Sequence, residues 1–127
     1  LGICLGMQML FKDSTEFKYT RGLNLIKGNI KKIDNINVKL PHMGWNKIIS
    51  TTNNKYPLKN GHQYFVHSYV AYNVDLGDVI YKCEYEKESF TVGVKNKNIV
   101  GLQFHPERSG TEGVQLLSDI ILDLLKK

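Results

Sequence analysis

The chain has 127 residues, 42% hydrophobic and 23% charged, with a formal net charge of +5. That is one domain's worth of ordinary globular sequence, too short for two cores, and no uncharged stretch approaches the roughly 18–20 apolar residues of a membrane span. Lys supplies 15 of the 17 basic residues and is spread along the chain, paired only at Lys31-Lys32 and Lys126-Lys127, so the charge lacks the clustered form of a nucleic-acid binder.

In chain order, Leu1 to Cys4 is short and apolar and reads as the end of a buried strand. Leu5 to Phe11 reads as the start of an apolar helix, which Asp13 to Glu16 ends. Residues 22–25 form a turn-rich connection, and Ile26 to Ile33 reads as a strand with broken alternation at Gly28. Val38 to Ile49 contains Pro41 and Gly44, which predicts an extended segment broken by a loop. Residues 51–62 are polar and read as loop or turn, on Asn53-Asn54, Pro57 and Asn60-Gly61. Strands are expected over Gln63 to Val70, Asp78 to Tyr85, Ser89 to Val94 and Ile99 to Phe104, the last two joined by a hairpin turn at 96–98. The tail from Gly110 to Leu125 is the clearest helix: Val114, Leu117, Ile120, Ile121, Leu124 and Leu125 repeat at three and four, which predicts a core-packing face. Strand and helix, then a run of strands, then a helix gives an α/β sandwich with part of its sheet antiparallel.

Two cysteines, Cys4 and Cys83, are too few for a disulfide scaffold, and no CxxC pair suggests a structural zinc. Reduced thiols point to the cytoplasm, and Cys83 and His62 read as structural because neither sits in a pattern that activates it. Cys4 does. Gly2-Ile3-Cys4-Leu5-Gly6 has the form of a nucleophile elbow, a tight strand-to-helix turn that exposes the nucleophile and needs small neighbours. A helix N-terminus under the turn is expected to lower the thiol pKa and to offer N–H groups to an oxyanion. Gln103-Phe104-His105-Pro106-Glu107 follows a predicted strand. A thiolate nucleophile needs a base, and Glu107 can orient His105 for that work. The H-x-E of zinc deaminases would require a following P-C-x-x-C, which the sequence lacks. Pro41 to Asn46 holds the only Trp and reads as a packed loop or as an interface loop. Tyr64 to Tyr69 is a strand with a polar end, either a sheet edge or a substrate contact.

Taken together, Gly-Ile-Cys-Leu-Gly-Met-Gln, Pro-His-Met-Gly-Trp-Asn, Phe-Val-His-Ser-Tyr and Gly-Leu-Gln-Phe-His-Pro-Glu resemble the class I, triad-type glutamine amidotransferases, and among them the glutaminase subunits of imidazole glycerol phosphate synthase. The resemblance runs over 1–127 and implies a flavodoxin-like or Rossmann-like α/β sandwich with a mixed sheet. It implies hydrolysis of L-glutamine to glutamate and ammonia, without a metal or cofactor. The ammonia would pass to a cyclase partner, a (β/α)₈ barrel forming a heterodimer with this subunit in histidine biosynthesis. Cys4 would form the thioester, His105 would be base and acid, and Glu107 would orient it. The Leu5 N–H would serve the oxyanion, and Gln8, Ser68 and Tyr69 would bind glutamine. Met43, Trp45, Asn46 and Arg108 would meet the partner, with Arg108 standing where the family usually has Lys. Family members are longer, so residues 1–127 are expected to be the C-terminal two-thirds of one amidotransferase domain. The absent part would hold the first strands and helices and a Pro-Gly-x-Gly loop that completes the oxyanion hole. Two other readings stay open: a paralogue feeding ammonia to a sugar amidotransferase in surface polysaccharide synthesis, and a non-catalytic regulatory module.

Overall fold

Alternating β-branched and aromatic residues fill the middle of the chain, and there strand follows strand with no α-helix between them among the described residues. The computed structural model describes residues 1–35, 37–52, 54–58 and 61–126. Asn53 and Asn60 of the expected 51–62 turn, and Lys127 of the terminal pair, lie outside the described residues. The strands are β1 (Gly2–Ile3), β2 (Asp13–Ser14), β3 (Thr20–Arg21), β4 (Asn29–Lys32), β5 (His42–Ser50), β6 (His62–His67), β7 (Tyr69–Tyr72), β8 (Val79–Tyr85), β9 (Glu88–Asn96) and β10 (Ile99–Leu102). They form one mixed sheet in the order β3-β2-β4-β7-β9-β8-β5-β6, with β10 on β9 and β1 on β10. β1 runs parallel to β10 and β2 parallel to β4, whereas the other pairs are antiparallel.

Helices α1 (Leu5–Gln8) and α2 (Gly110–Leu124) sit over two hydrophobic clusters. Met7, Leu10, Phe11, Ile26 and Ile30 pack with Val94 beside α1. Leu116 and Ile120 of α2 pack with Val92, Val100, Leu102, Phe104 and Tyr81. Val100 and Leu102 face the α2 cluster, while a side chain at Gly101 would meet Met7 and Leu10. Alternation along β10 therefore separates the two layers. Among the described residues, no helix is long and apolar enough to cross a membrane.

Three expectations change. The helix expected over 5–11 is a single turn, because after Gln8 the N–H of Leu10 turns to the Met7 carbonyl at 3.0 Å and the chain leads into β2 at Asp13. Within Val38 to Ile49 the irregular part ends at Pro41, and from His42 the chain is one nine-residue strand, β5, unbroken at Gly44. Pro41 lies just before it, where no ladder N–H is needed, and Gly44 stays in register with Phe65 at a φ of 116° open to glycine. The strand expected over Gln63 to Val70 is two strands. At Ser68 the chain leaves β5, the partner of β6, and enters the ladder with β4 and β9. This bend sits beside the cysteine, in the cleft described next.

Candidate active site

Cys4 occupies the turn between β1 and α1 with φ 55° and ψ −108°, a backbone state that costs energy for a residue with a Cβ. Its N–H donates to the Leu102 carbonyl at 2.7 Å, which fastens the elbow to the end of β10. The turn closes because position 2 has no side chain: a Cβ there would stand 2.5 Å from the Gly6 carbonyl oxygen. Gly6 itself faces open space, so the expected need for two small neighbours falls on Gly2 alone. Gly2→Ala should cost about 1–3 kcal/mol through overpacking against backbone, and a thermal melt of the full-length variant checks it. An unchanged midpoint would show that the turn relaxes freely.

His105 follows β10 by three residues, so the cysteine and the histidine emerge at the same ends of two adjacent parallel strands. Reactive groups of α/β sheets gather at such carboxyl ends. The His105 Nδ1 meets Glu107 Oε2 at 2.8 Å, leaving Nε2 as the nitrogen available for proton transfer. The His-Pro-Glu turn is clamped from two sides. His105 donates its N–H to the Tyr64 carbonyl at 2.9 Å. Ser109 Oγ donates to the His105 carbonyl at 2.6 Å and accepts the Tyr64 N–H at 2.8 Å. Gly113 lets α2 lie against this turn, since a Cβ there would come within 2.2 Å of the Pro106 carbonyl oxygen.

The thiol does not have the lowered pKa expected at a helix N-terminus. Burial pushes it up, the Leu5 N–H and the Gln103 amide pull it down through hydrogen bonds, and the charges of Glu107 and Glu16 push it up again. One turn of helix carries too little dipole to offset desolvation. In this state the thiol donates to the Val66 carbonyl at 3.9 Å. Cys83 is buried, its thiol pushed up to about 12 first by burial and then by the Glu84 charge, which fits the structural role expected of it.

A cleft of about 330 Å³ opens beside Cys4, at the small end of the usual ligand range. It brings together Leu5, Gln8, Ser68 and Tyr69. Gln8 is buried, and both Nε2 hydrogens are engaged, by the Tyr69 carbonyl and by Gln103 Oε1, each at 3.2 Å. What Gln8 can offer a ligand is therefore its Oε1 acceptor. The sequence reading missed Glu16, the only carboxylate on this cleft among the described residues. It lies in the polar segment that reads merely as the end of a helix, and no spacing rule marks it. Ser109 was missed for a similar reason. A serine before a helix reads as a cap, whereas this hydroxyl serves the histidine turn and makes no cap bond.

The expected partner residues divide between two faces of β5. Met43 and Trp45 are 60% and 57% exposed and lie opposite Val66 and Tyr64 of β6. Arg108 stacks its guanidinium 4.5 Å from the Tyr64 ring centroid, and Trp45 meets the same ring edge-on at 6.3 Å. A planar guanidinium suits this contact better than an ammonium. Asn46 does not join them. Its side chain is on the other face, donating to the Glu84 carbonyl at 3.0 Å and lying 3.2 Å from His42 Nε2. The Pro41 to Asn46 segment is accordingly strand from His42 onward rather than loop.

The family model for class-I glutamine amidotransferases matches residues 1–124. The chain belongs to that family. It is 46% identical over 121 residues to the imidazole glycerol phosphate synthase subunit HisH of Prochlorococcus marinus, covering 92% of this chain and 58% of that protein. Subunits of the same name from Saccharolobus solfataricus and Thermotoga maritima are 44% and 43% identical, with 94% and 95% of this chain covered against 61% and 57% of theirs. The chain thus spans about three fifths of the length of the curated relatives it matches. A solved structure described as a glutamine amidotransferase superposes with a TM-score of 0.66 at 18% identity, over 97% of this chain and 58% of that one. The α/β fold of the amidotransferases, expected from the motifs, is the fold observed.

Proposed function

We propose that this chain carries the reacting residues of a glutaminase that hydrolyses L-glutamine to glutamate and ammonia. The supporting observation is the placement of a strained elbow cysteine and a carboxylate-oriented histidine at the carboxyl ends of neighbouring parallel strands. Cys4 Sγ attacks the side-chain amide carbon of glutamine as His105 Nε2 accepts the thiol proton. The Leu5 N–H, which follows the nucleophile and pulls its pKa down, faces the developing oxyanion. His105 returns the proton to the departing nitrogen, ammonia leaves, and a glutamyl thioester remains. Water then attacks the thioester with His105 again as base, and glutamate is released. Glu107 holds the imidazole by Nδ1 throughout. Glu16 supplies the negative charge that a substrate ammonium requires, Gln8 Oε1 an acceptor, and Ser68 and Tyr69 complete the cleft wall.

Residues 1–127 form part of one amidotransferase domain. The ammonia goes to a cyclase subunit of (β/α)₈ architecture, bound as a heterodimer in the cytoplasm. The relatives named as imidazole glycerol phosphate synthase subunits support that destination. The cluster of exposed Met43, Trp45 and Arg108 around half-buried Tyr64 supplies the contact, since aromatic side chains, Met and Arg favour protein interfaces. A diazoketone analogue of glutamine tests the glutaminase. In the full-length protein it should alkylate Cys4 and spare Cys83, with excess glutamine protecting. Labelling that glutamine does not slow would remove the support for a glutamine site.

A further inference from the structure

The Cys4 sulfur has a polar neighbour to which the mechanism above gives no role. Gln103 follows β10 directly and is fully buried, with its Nε2 3.8 Å from Cys4 Sγ. A carboxamide can present either an N–H or a carbonyl oxygen, and only the hydrogen-bond network decides which. Here the network leaves no choice. The Tyr69 backbone carbonyl can only accept, so Gln8 must turn its Nε2 toward it. That same Nε2 reaches Gln103 at 3.2 Å, so Gln103 must meet it with Oε1. The remaining end of Gln103, which faces the sulfur, is then Nε2. Turning either amide would set two donors or two acceptors against each other in a buried place, at the cost of an unmade hydrogen bond.

The Tyr69 carbonyl is itself held by a second arm. His67 Nδ1 donates to it at 3.1 Å, which makes His67 Nε2 an acceptor for His42 Nδ1 at 2.8 Å. His42 Nε2 in turn accepts from Asn46 Nδ2 at 3.2 Å. Both imidazoles are neutral in this arrangement. Burial holds His42 down to about 4, helped by His67, and burial likewise holds His67 down to about 4. The His42 ring is fixed between Phe65 and Tyr85, at centroid distances of 4.5 and 4.1 Å. Every proton along the chain from Asn46 to Gln103 has one place to be.

We propose that Gln103 is a positioning residue that presents a hydrogen-bond donor to the Cys4 thiolate, and that the Tyr69 carbonyl, acting through Gln8, locks its amide in that sense. The assignment rests on the reading of Cys4 as nucleophile. Charge-assisted hydrogen bonds stabilise the ionised partner. The other groups that act on the thiol, the Val66 carbonyl, the Leu5 N–H and the charges of Glu107 and Glu16, are left in place by substitutions at 103. His105, at the end of the same strand, is likewise unaltered.

The test is the pH dependence of iodoacetamide alkylation at Cys4 in the full-length protein, with peptide mass spectrometry separating Cys4 from Cys83. Gln103→Met keeps an unbranched side chain of similar length and removes the donor. It should raise the midpoint by about one pH unit, or about tenfold slower alkylation near neutrality. Gln8→Leu, which releases the Gln103 amide to turn, should move the midpoint in the same direction without touching the sulfur, and it decides the matter if the Met variant does not fold. Folded variants whose midpoints stay within about 0.2 of the wild type would overturn the assignment. Alkylation needs neither glutamine nor a partner. A shifted midpoint in a protein without glutaminase activity would therefore remove the proposed function and keep the role of Gln103, and an unmoved midpoint in an active glutaminase would do the reverse.

Discussion

Cys4→Ala, made in the full-length protein and assayed with the cyclase subunit proposed as its partner, is expected to lower glutamine-dependent synthesis by on the order of 10⁴–10⁶ and to leave synthesis from added ammonia at the wild-type rate. The split follows from the position of the sulfur. In the proposed reaction it acts on the amide and on nothing downstream of the ammonia. Alanine should also preserve the elbow. Alanine keeps the Cβ that position 4 already carries at φ 55°, and the N–H that fastens it to the Leu102 carbonyl is untouched. Equal losses from both nitrogen sources would mean that the thiol matters for assembly rather than for chemistry. Glutamine-dependent turnover that survives would remove Cys4 from the mechanism.

The second large effect is expected at the histidine pair. His105→Asn removes proton transfer in both half-reactions and should lower kcat by about 10²–10⁴, with KM little changed because the imidazole does not line the cleft beside Gln8. Glu107→Gln should cost less, about 10- to 100-fold. The Glu107 side chain is 46% exposed. Water can therefore take over part of its hold on Nδ1, which a buried carboxylate would not allow. Steady-state kinetics of both variants check the order. A Glu107 variant as damaged as the His105 variant would mean that the carboxylate does more than orient the ring.

The candidate site was more legible in the sequence than the packing. Cys4 and the His-Pro-Glu turn stand out because their residue types and spacings belong to reactions, and spacing survives without knowledge of tertiary contacts. The helix rotation did not stand out. The expected core face of α2 runs through Val114, Leu117, Ile120, Ile121, Leu124 and Leu125; Ile120 is buried and Leu124 packs against the core, but Val114, Ile121 and Leu125 are exposed, and Gly113 and Leu116 are buried instead. The deciding residue is Gly113, whose value is the absence of a side chain at closest approach, and a hydropathy pattern cannot weigh that. The β8–β9 turn was equally hidden. Glu86 and Lys87 both take positive φ, 51° and 69°, the conformation of a two-residue hairpin normally signalled by Asn-Gly. By contrast Lys97-Asn98, with Lys97 at φ 54°, carries its Asn in view and was read correctly as the β9–β10 turn.

Strand β10 is only four residues long, yet three groups of the site hang from it or its direct continuation. Leu102 holds the cysteine by its N–H, Gln103 faces the sulfur, and His105 follows two residues later. Thermal motion of the sheet then acts on all three as a common-mode displacement: thiol, amide and imidazole travel together, and their mutual distances absorb little of it. A neighbouring element that flexes β9 and β10 shifts where the reaction happens more than whether its parts are aligned. For an engineer, this makes the Lys97-Asn98 turn, at the end of β10 away from the site, a place to alter the hairpin while leaving the spacing of the reacting groups intact.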